Sequence, residues 1–358
     1  MEPLYPQLVK ALWFDESEEK LCWINTNKLP FEEEVICSND PARVASAIKN
    51  MEIRGAPAIG VAAALVLGAY ALKISEQPLE KFIELMNASI NTLAATRPTA
   101  YNLFYALNRI RKVLSEYSSR ASDARALARI IVEEAIKVYR EDVEANIRIG
   151  EVGSELVPDG ATIMTHCNAG ALATSAYGTA LAVIRVAFYK GKRVKVIATE
   201  TRPVLQGARL TVYELVKEGI PVTLITDNAA GLVLKKKMVD LVIVGADRIT
   251  KEGYVINKIG TYMIALAAKR NQVPFYVAAP ISTIDLERSV DQVVIEERDP
   301  AEVKYIRGVP ITLDKVSALN YAFDITDPDL VTAIITERGI AYPPYSETLS
   351  RLVASSRR

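Results

Sequence analysis

The sequence is poor in the residues that build metal and redox centres. Its 358 residues include one histidine, His166, and three cysteines, Cys22, Cys37 and Cys167. Such a set cannot furnish an all-protein zinc site, so no structural metal is expected. So few cysteines point to a reducing compartment, and the N-terminus lacks the apolar segment of a signal peptide, so a cytoplasmic location is expected. Net charge is missing too, since 43 basic and 43 acidic residues cancel. A nucleic-acid binder carries a basic footprint instead, and no nucleic-acid partner is expected. The most apolar stretch, 58–72, falls short of the roughly 20 residues that a bilayer requires, so it reads as a buried helix and no membrane partner is expected. Neither G-x-G-x-x-G opening a helix nor G-x-x-x-x-G-K-[ST] occurs, so no nucleotide cofactor is expected.

What is present is ample apolar content, 50% of the chain, enough for sizeable cores in more than one domain. The first forty residues alternate apolar and polar positions around 11–14, 20–24 and 34–37, with Asp, Glu, Asn and Pro between them, as a small antiparallel meander would. From Asp40 the period becomes helical, with Ser38-Asn39-Asp40-Pro41 as a helix start, and it stays helical to about Leu156. Beyond Pro158 the rhythm is strand, turn, helix, with apolar runs at 161–165, 194–199, 222–226, 241–244, 275–279 and 293–295. The expected fold is α/β: a Rossmann-like parallel sheet domain over 157–358, preceded by a mainly helical domain over 1–156 that begins with the β meander.

Ligands of such sheets lie outside the carboxyl ends of the strands, and there the polar residues gather. One strand runs into Thr165-His166-Cys167-Asn168-Ala169-Gly170, which brings a thiol and free backbone N–H groups to the sheet rim. Alone, Cys167 reads equally as an inert buried thiol. A second strand ends in Gly245-Ala246-Asp247-Arg248, offering a carboxylate to the same rim, with Asn257 and Lys258 following as an amide and a cation. A turn-capping Asp is the competing reading. Arg54-Gly55-Ala56-Pro57 opens the apolar helix, where small residues and the helix N-terminus suit an anion. Arg97-Pro98 marks another helix start. Glu200-Thr201-Arg202-Pro203, with Gln206 beyond it, suits sugar hydroxyls or phosphate, or else a subunit contact.

Taken in order, R-G-A-P-A-I-G, R-P-T-A, T-H-C-N-A-G-A-L-A-T, E-T-R-P-V-L-Q-G-A-R-L, G-A-D-R-I and N-K-I-G-T-Y resemble the methylthioribose-1-phosphate isomerases of methionine salvage. The likeness runs from the meander to Pro343-Pro344-Tyr345. It implies an aldose to ketose isomerisation without cofactor, with Asp247 as proton donor and Cys167 assisting hydrogen transfer. It also implies that Arg54, Gly55, Ala56, Arg97, Gln206, Asn257 and Lys258 contact the substrate, and that the protein is a homodimer. Asp has an ordinary pKa of about 3.9, and desolvation at a dry strand end would raise it into the range of a general acid. The chain departs from the family pattern at Ala169, where Thr is expected, at Tyr101, where Val is usual, and at Thr199, where an acid often stands. Two rivals share the fold: ribose-1,5-bisphosphate isomerases, and the regulatory subunits of a translation-initiation exchange factor, which are binding scaffolds.

Overall fold

A computed structural model describes residues 5–98 and 100–354, so Thr99 of the second Arg-Pro motif lies outside the described residues. Chain contacts divide it into two compact units, one holding Pro6–Asn146 with Ala171–Gly178, the other holding Ile147–Gly170 and Thr179 onward. The helical unit starts with the expected meander, β1 (Leu12–Asp15), β2 (Lys20–Ile24) and β3 (Val35–Ser38), paired antiparallel in the order β1-β2-β3. Then come α1 (Pro41–Lys49), α2 (Ala56–Lys73), α3 (Leu79–Ala94), α4 (Tyr101–Tyr117) and α5 (Ala124–Ser154). Asp40 starts α1 as its side chain accepts the Ala42 N–H, and Pro41 takes the first position, where no donor is missed.

Helix α2 is apolar on all sides and long enough to cross a membrane by length and composition. It is instead the core of the helical unit, buried along nearly its whole length among α1, α3 and α4. Its small residues permit that closeness: a side chain on Gly60 would start 2.6 Å from the Asn102 carbonyl oxygen. At its N-cap, Gly55 has φ +98 and sits where a Cβ would lie 2.5 Å from the Ala173 backbone. Both the left-handed backbone and the contact require glycine. Gly55→Ala is expected to cost at least about 2 kcal/mol. Thermal melting checks this, and a variant that melts with the parent would show that neither constraint matters.

The other unit is built on a seven-stranded sheet in the order β16-β15-β10-β7-β4-β5-β6. In chain order its elements are β4 (Thr162–Thr165), α6 (Ala180–Tyr189), β5 (Lys195–Thr199), α7 (Val212–Lys217), β6 (Val222–Ile225), α8 (Ala230–Lys235), β7 (Leu241–Val244), β8 (Arg248–Thr250), β9 (Val255–Lys258), α9 (Thr261–Arg270) and β10 (Phe275–Ala278). There follow β11 (Ile284–Asp285), α10 (Ala301–Lys304), β12 (Tyr305–Ile306), β13 (Val309–Pro310), β14 (Phe323–Thr326), β15 (Ala333–Thr336), β16 (Gly339–Ala341) and α11 (Tyr345–Ala354). All pairings in the large sheet are parallel except β15 with β16. A smaller sheet runs β11-β8-β9-β14.

Strand β7 shows why the runs are apolar throughout. Leu241 and Ile243 pack into a core with α6, whereas Val242 and Val244 pack on the other face with α8 and α9. A strand covered on both faces has no polar side.

Two expectations change, and the two units interleave along the chain. The run 293–295 is not a strand: it leaves a short turn capped by Ser289 and Gln292, and Val294 is 75% exposed. The sheet is completed by β15 and β16 instead. The cysteines are not all thiols, because the β2–β3 register sets Cys22 opposite Cys37 and a disulfide joins them, leaving Cys167 as a buried thiol. The chain also does not divide at one point. The end of α5 belongs with the sheet, as Gly150 and Gly153 lie against Val186 and Val183 of α6. Ala171–Gly178 belongs with the helices, where Asp142 accepts the Ser175 N–H and Asn146 donates to the Ala176 carbonyl.

Candidate active site

From β4 the chain builds outward through β5 to β6, then returns to the other side of β4 as β7 and continues to β10 and β15. The strand order therefore reverses between β4 and β7, and the crevice beyond two such strand ends is where doubly wound sheets take ligands. Cys167 follows β4 and Asp247 follows β7, the two strands that flank this switch point. Their turns touch: a Cβ on Gly245 would fall 2.7 Å from that of Ala169. Thus Ala169, the departure from Thr, meets a glycine of the Asp247 turn.

Cys167 is buried and its backbone is left-handed, φ 60. Such a conformation costs about 1–3 kcal/mol unless neighbours hold it. Here both of its peptide groups are held by threonines. The Cys167 N–H donates to Thr201 Oγ1 at 2.9 Å, and Thr211 Oγ1 donates to the Cys167 carbonyl at 2.6 Å. Thr201 is fixed in turn, because Asp227 accepts the N–H groups of Thr201 and Arg202 at 2.7 and 2.6 Å. Thr211 closes a π-helical turn, Gly207–Thr211, that starts at a glycine whose Cβ would sit 1.8 Å from the Thr199 carbonyl oxygen.

His166 is a buried connector. Its Nε2 lies 2.8 Å from the Ile259 carbonyl, which only accepts, so Nε2 carries the proton and Nδ1 accepts from Thr199 Oγ1 at 2.6 Å. Burial pushes its pKa below the ordinary value and Lys258 acts in the same direction, against the Ile259 carbonyl and Asp227. The imidazole is therefore a neutral strut. On its other side, the Asn168 amide donates to Thr211 Oγ1 and to Glu214 Oε1, and Glu214 pairs with Arg185, which also holds Glu218 at 2.7 Å. All three charged side chains are buried.

Asp247 is half-buried, and its N–H donates to the Ile256 carbonyl, one residue before Asn257. Asn257 is buried and donates to Thr261, whose hydroxyl donates to the Lys258 carbonyl at 2.6 Å. The Lys258 ammonium stands 4.7 Å from the Phe323 ring centre. Asp324, across from Asn257 in the β9–β14 pair, accepts the N–H groups of Gly260 and Tyr262 and so caps α9. Burial pushes its carboxyl up to about 6, opposed by those two N–H groups and by Lys258. Gln206 is buried just before Gly207, and its side-chain oxygen has no hydrogen-bond donor among the described residues. Such an acceptor is ready for a ligand hydroxyl.

Cys167, Gln206, Asp247, Asn257 and Lys258 thus all belong to the sheet unit, whereas Arg54, Gly55, Ala56 and Arg97 belong to the helical unit. Arg54 and Gly55 precede α2, which Ala56 begins, and Arg97 lies in the link between α3 and α4. Among the described residues, no three His, Cys, Asp or Glu side chains gather as a metal would need. The positions missed in the sequence are Thr211, Glu214, Arg185 and Asp324, together with the hold of Thr201 on Cys167. Only Arg185 left a clear signal, as the one charge in the apolar run 180–188. A charge there has to be paired inside the protein.

The model of the initiation factor 2 subunit family matches residues 52–343. The chain is 51% identical over 335 residues to a methylthioribose-1-phosphate isomerase of Desulforamulus reducens, covering 93% of this chain and 96% of that one. It is 50% identical over 346 residues to the isomerase of the same name from Thermotoga maritima, covering 96% and 99%. Among solved structures, 5-methylthioribose 1-phosphate isomerase from Pyrococcus horikoshii superposes with a TM-score of 0.91 at 43% identity, covering 99% of this chain and 100% of that one. The delta subunit of translation initiation factor eIF-2B from A. fulgidus gives 0.86 at 42% identity, covering 97% and 99%. The chain belongs to the initiation factor 2 subunit family and groups there with the methylthioribose-1-phosphate isomerases.

Proposed function

We propose that the protein converts 5-methylthioribose 1-phosphate into 5-methylthioribulose 1-phosphate in methionine salvage. The observation that carries this reading is the pairing of a thiol and a carboxyl, Cys167 and Asp247, on the two strands that flank the switch point of the sheet. A sugar phosphorylated at its anomeric carbon cannot open as a free hemiacetal does. Its ring oxygen must take a proton as the bond to C1 breaks, and hydrogen must pass from C2 to C1.

Asp247 supplies the proton to the ring oxygen, and the C2 hydroxyl gives up one proton in return as it becomes the ketone carbonyl. Cys167 assists the second event, either as the base that takes the C2 proton and returns it to C1, or by shaping a dry pocket for direct hydride shift. Both routes leave the substrate redox-neutral and need no cofactor. Substrate deuterated at C2 distinguishes them, since hydride shift keeps the label at C1 and a thiolate base exchanges it with water. Gln206, Asn257 and Lys258, with Arg54, Gly55, Ala56 and Arg97 of the helical unit, are the proposed substrate contacts. Lys258→Ala is expected to raise KM about tenfold or more and change kcat less than about threefold, because a phosphate contact persists from ground to transition state. Steady-state kinetics read this directly, and a fall in kcat alone would remove Lys258 from phosphate binding.

The protein is proposed to act in the cytoplasm as a homodimer. The apolar side chains Val216, Leu224, Leu232 and Met238, each 48–63% exposed on β6 and the flanking α7 and α8 segments, support pairing with a second copy. Sedimentation velocity tests the assembly.

The deciding experiment offers the purified protein 5-methylthioribose 1-phosphate and ribose 1,5-bisphosphate side by side. Preference for the thioether supports methionine salvage, and preference for the bisphosphate moves the protein to nucleotide catabolism. Turnover of neither favours the scaffold reading, which the likeness to the A. fulgidus initiation-factor subunit keeps specific.

A further inference from the structure

We propose that Thr211 is a positioning residue for Cys167, holding the thiol in its left-handed turn through a hydroxyl that the Asn168 amide links to the buried Glu214–Arg185 pair. This deepens the isomerase reading and rests on it for the role of Cys167. The hydroxyl has two tasks. It donates to the Cys167 carbonyl at 2.6 Å and accepts from the Asn168 amide at 3.2 Å. The same amide donates to Glu214 Oε1 at 2.9 Å, so the residues on both sides of the Cys167–Asn168 peptide are tied to one segment, 211–214.

The turn cannot move away from that segment cheaply. A side chain on Gly170 would begin 2.3 Å from the Glu214 carboxylate, so the chain is wrapped closely around it. Arg185 holds Glu214 from behind and is itself held by Glu218. A purely apolar filling of this volume would serve stability as well or better. What the charged arrangement adds is direction: it orients the Asn168 amide, and through that amide the Thr211 hydroxyl beside Cys167, whose φ is 60.

The test uses Thr211→Val, which keeps the shape and removes the hydroxyl, beside Thr211→Ser, which keeps the hydroxyl. Kinetics are read together with the alkylation rate of Cys167 by iodoacetamide. That rate is clean because Cys22 and Cys37 are bonded to one another, and Cys167→Ser supplies the blank. The valine variant is expected to lose about thirtyfold in kcat with KM within about twofold, and its thiol to be alkylated at least about fivefold faster as the turn loosens. The serine variant should recover both values to within about threefold of the parent. If the valine variant does not fold, Thr211→Ala against Thr211→Ser gives the same comparison.

Parental kcat and alkylation rate without the hydroxyl would overturn the proposal. So would equal losses in the serine and hydroxyl-free variants. If Cys167→Ser keeps full turnover while the hydroxyl still controls alkylation, the positioning stands and the catalytic role of Cys167 falls.

Discussion

Arg185→Leu is expected to destabilise the protein by about 3–5 kcal/mol, the cost of stripping the partner from buried charge. Arg185 is 1% exposed and its two partners, Glu214 and Glu218, are 0% and 2% exposed in their side chains. Removing the guanidinium leaves two buried carboxylates without the cation that pairs them. A Tm lower by roughly 4–7 °C follows from that energy in a chain of this size.

The loss is also pH-dependent, with a definite sign. Burial already holds the Glu218 carboxyl above its ordinary range, against the lowering pull of Arg185. Without that pull its folded pKa rises further above the unfolded value. A raised carboxyl contributes stability that is present below the unfolded pKa and lost as pH rises through the folded one. The deficit of Arg185→Leu should therefore be larger at pH 8 than at pH 5. A variant that melts within about 2 °C of the parent at both values would mean that the three charges are not energetically coupled.

Asp247→Asn and Cys167→Ser are each expected to lower turnover by at least about a hundredfold while the protein stays folded. The asparagine keeps the size of the side chain at the end of β7 and removes only the acidic proton, so the ring oxygen has no donor. The serine keeps a hydroxyl where a far more acidic thiol stood, which removes the base on the proton route. Circular dichroism and melting establish folding, and turnover of 5-methylthioribose 1-phosphate is the readout. Near-parental turnover in either variant would falsify the role given to that residue. A hydride route predicts a smaller loss for Cys167→Ser than for Asp247→Asn, which links this pair of variants to the labelling experiment.

The strand ends were legible because they depend on local pattern. An apolar run that stops at Thr165 and turns through Asn168 and Gly170 announces a rim position, and the same logic found Asp247. What could not be read was the choice among equals. The run 293–295 and the run that forms β15 are both short and apolar, but only the latter finds β10 as a neighbour, and that pairing spans more than fifty residues of chain. Strand preference of this kind belongs to the tertiary environment. The clasp on Cys167 was hidden for the same reason, since Thr201 and Thr211 lie 34 and 44 residues beyond it. The disulfide depended on register, which places Cys22 opposite Cys37 and not one position away.

The stretch Ala171–Gly178 has a consequence for how the molecule is made. The helical unit is not complete when the ribosome has released α5, because Ala173 must still arrive to meet Gly55 and Ser175 to satisfy Asp142. At a synthesis rate of about 5–20 residues per second, the nascent helices wait for seconds with those positions open. By then β4 and the Cys167 turn have also been synthesised, being encoded between α5 and the missing piece. The gene order thus delivers the thiol-bearing loop before the helical half can close, so that the first segment of the proposed catalytic rim is already present when that half becomes a finished body.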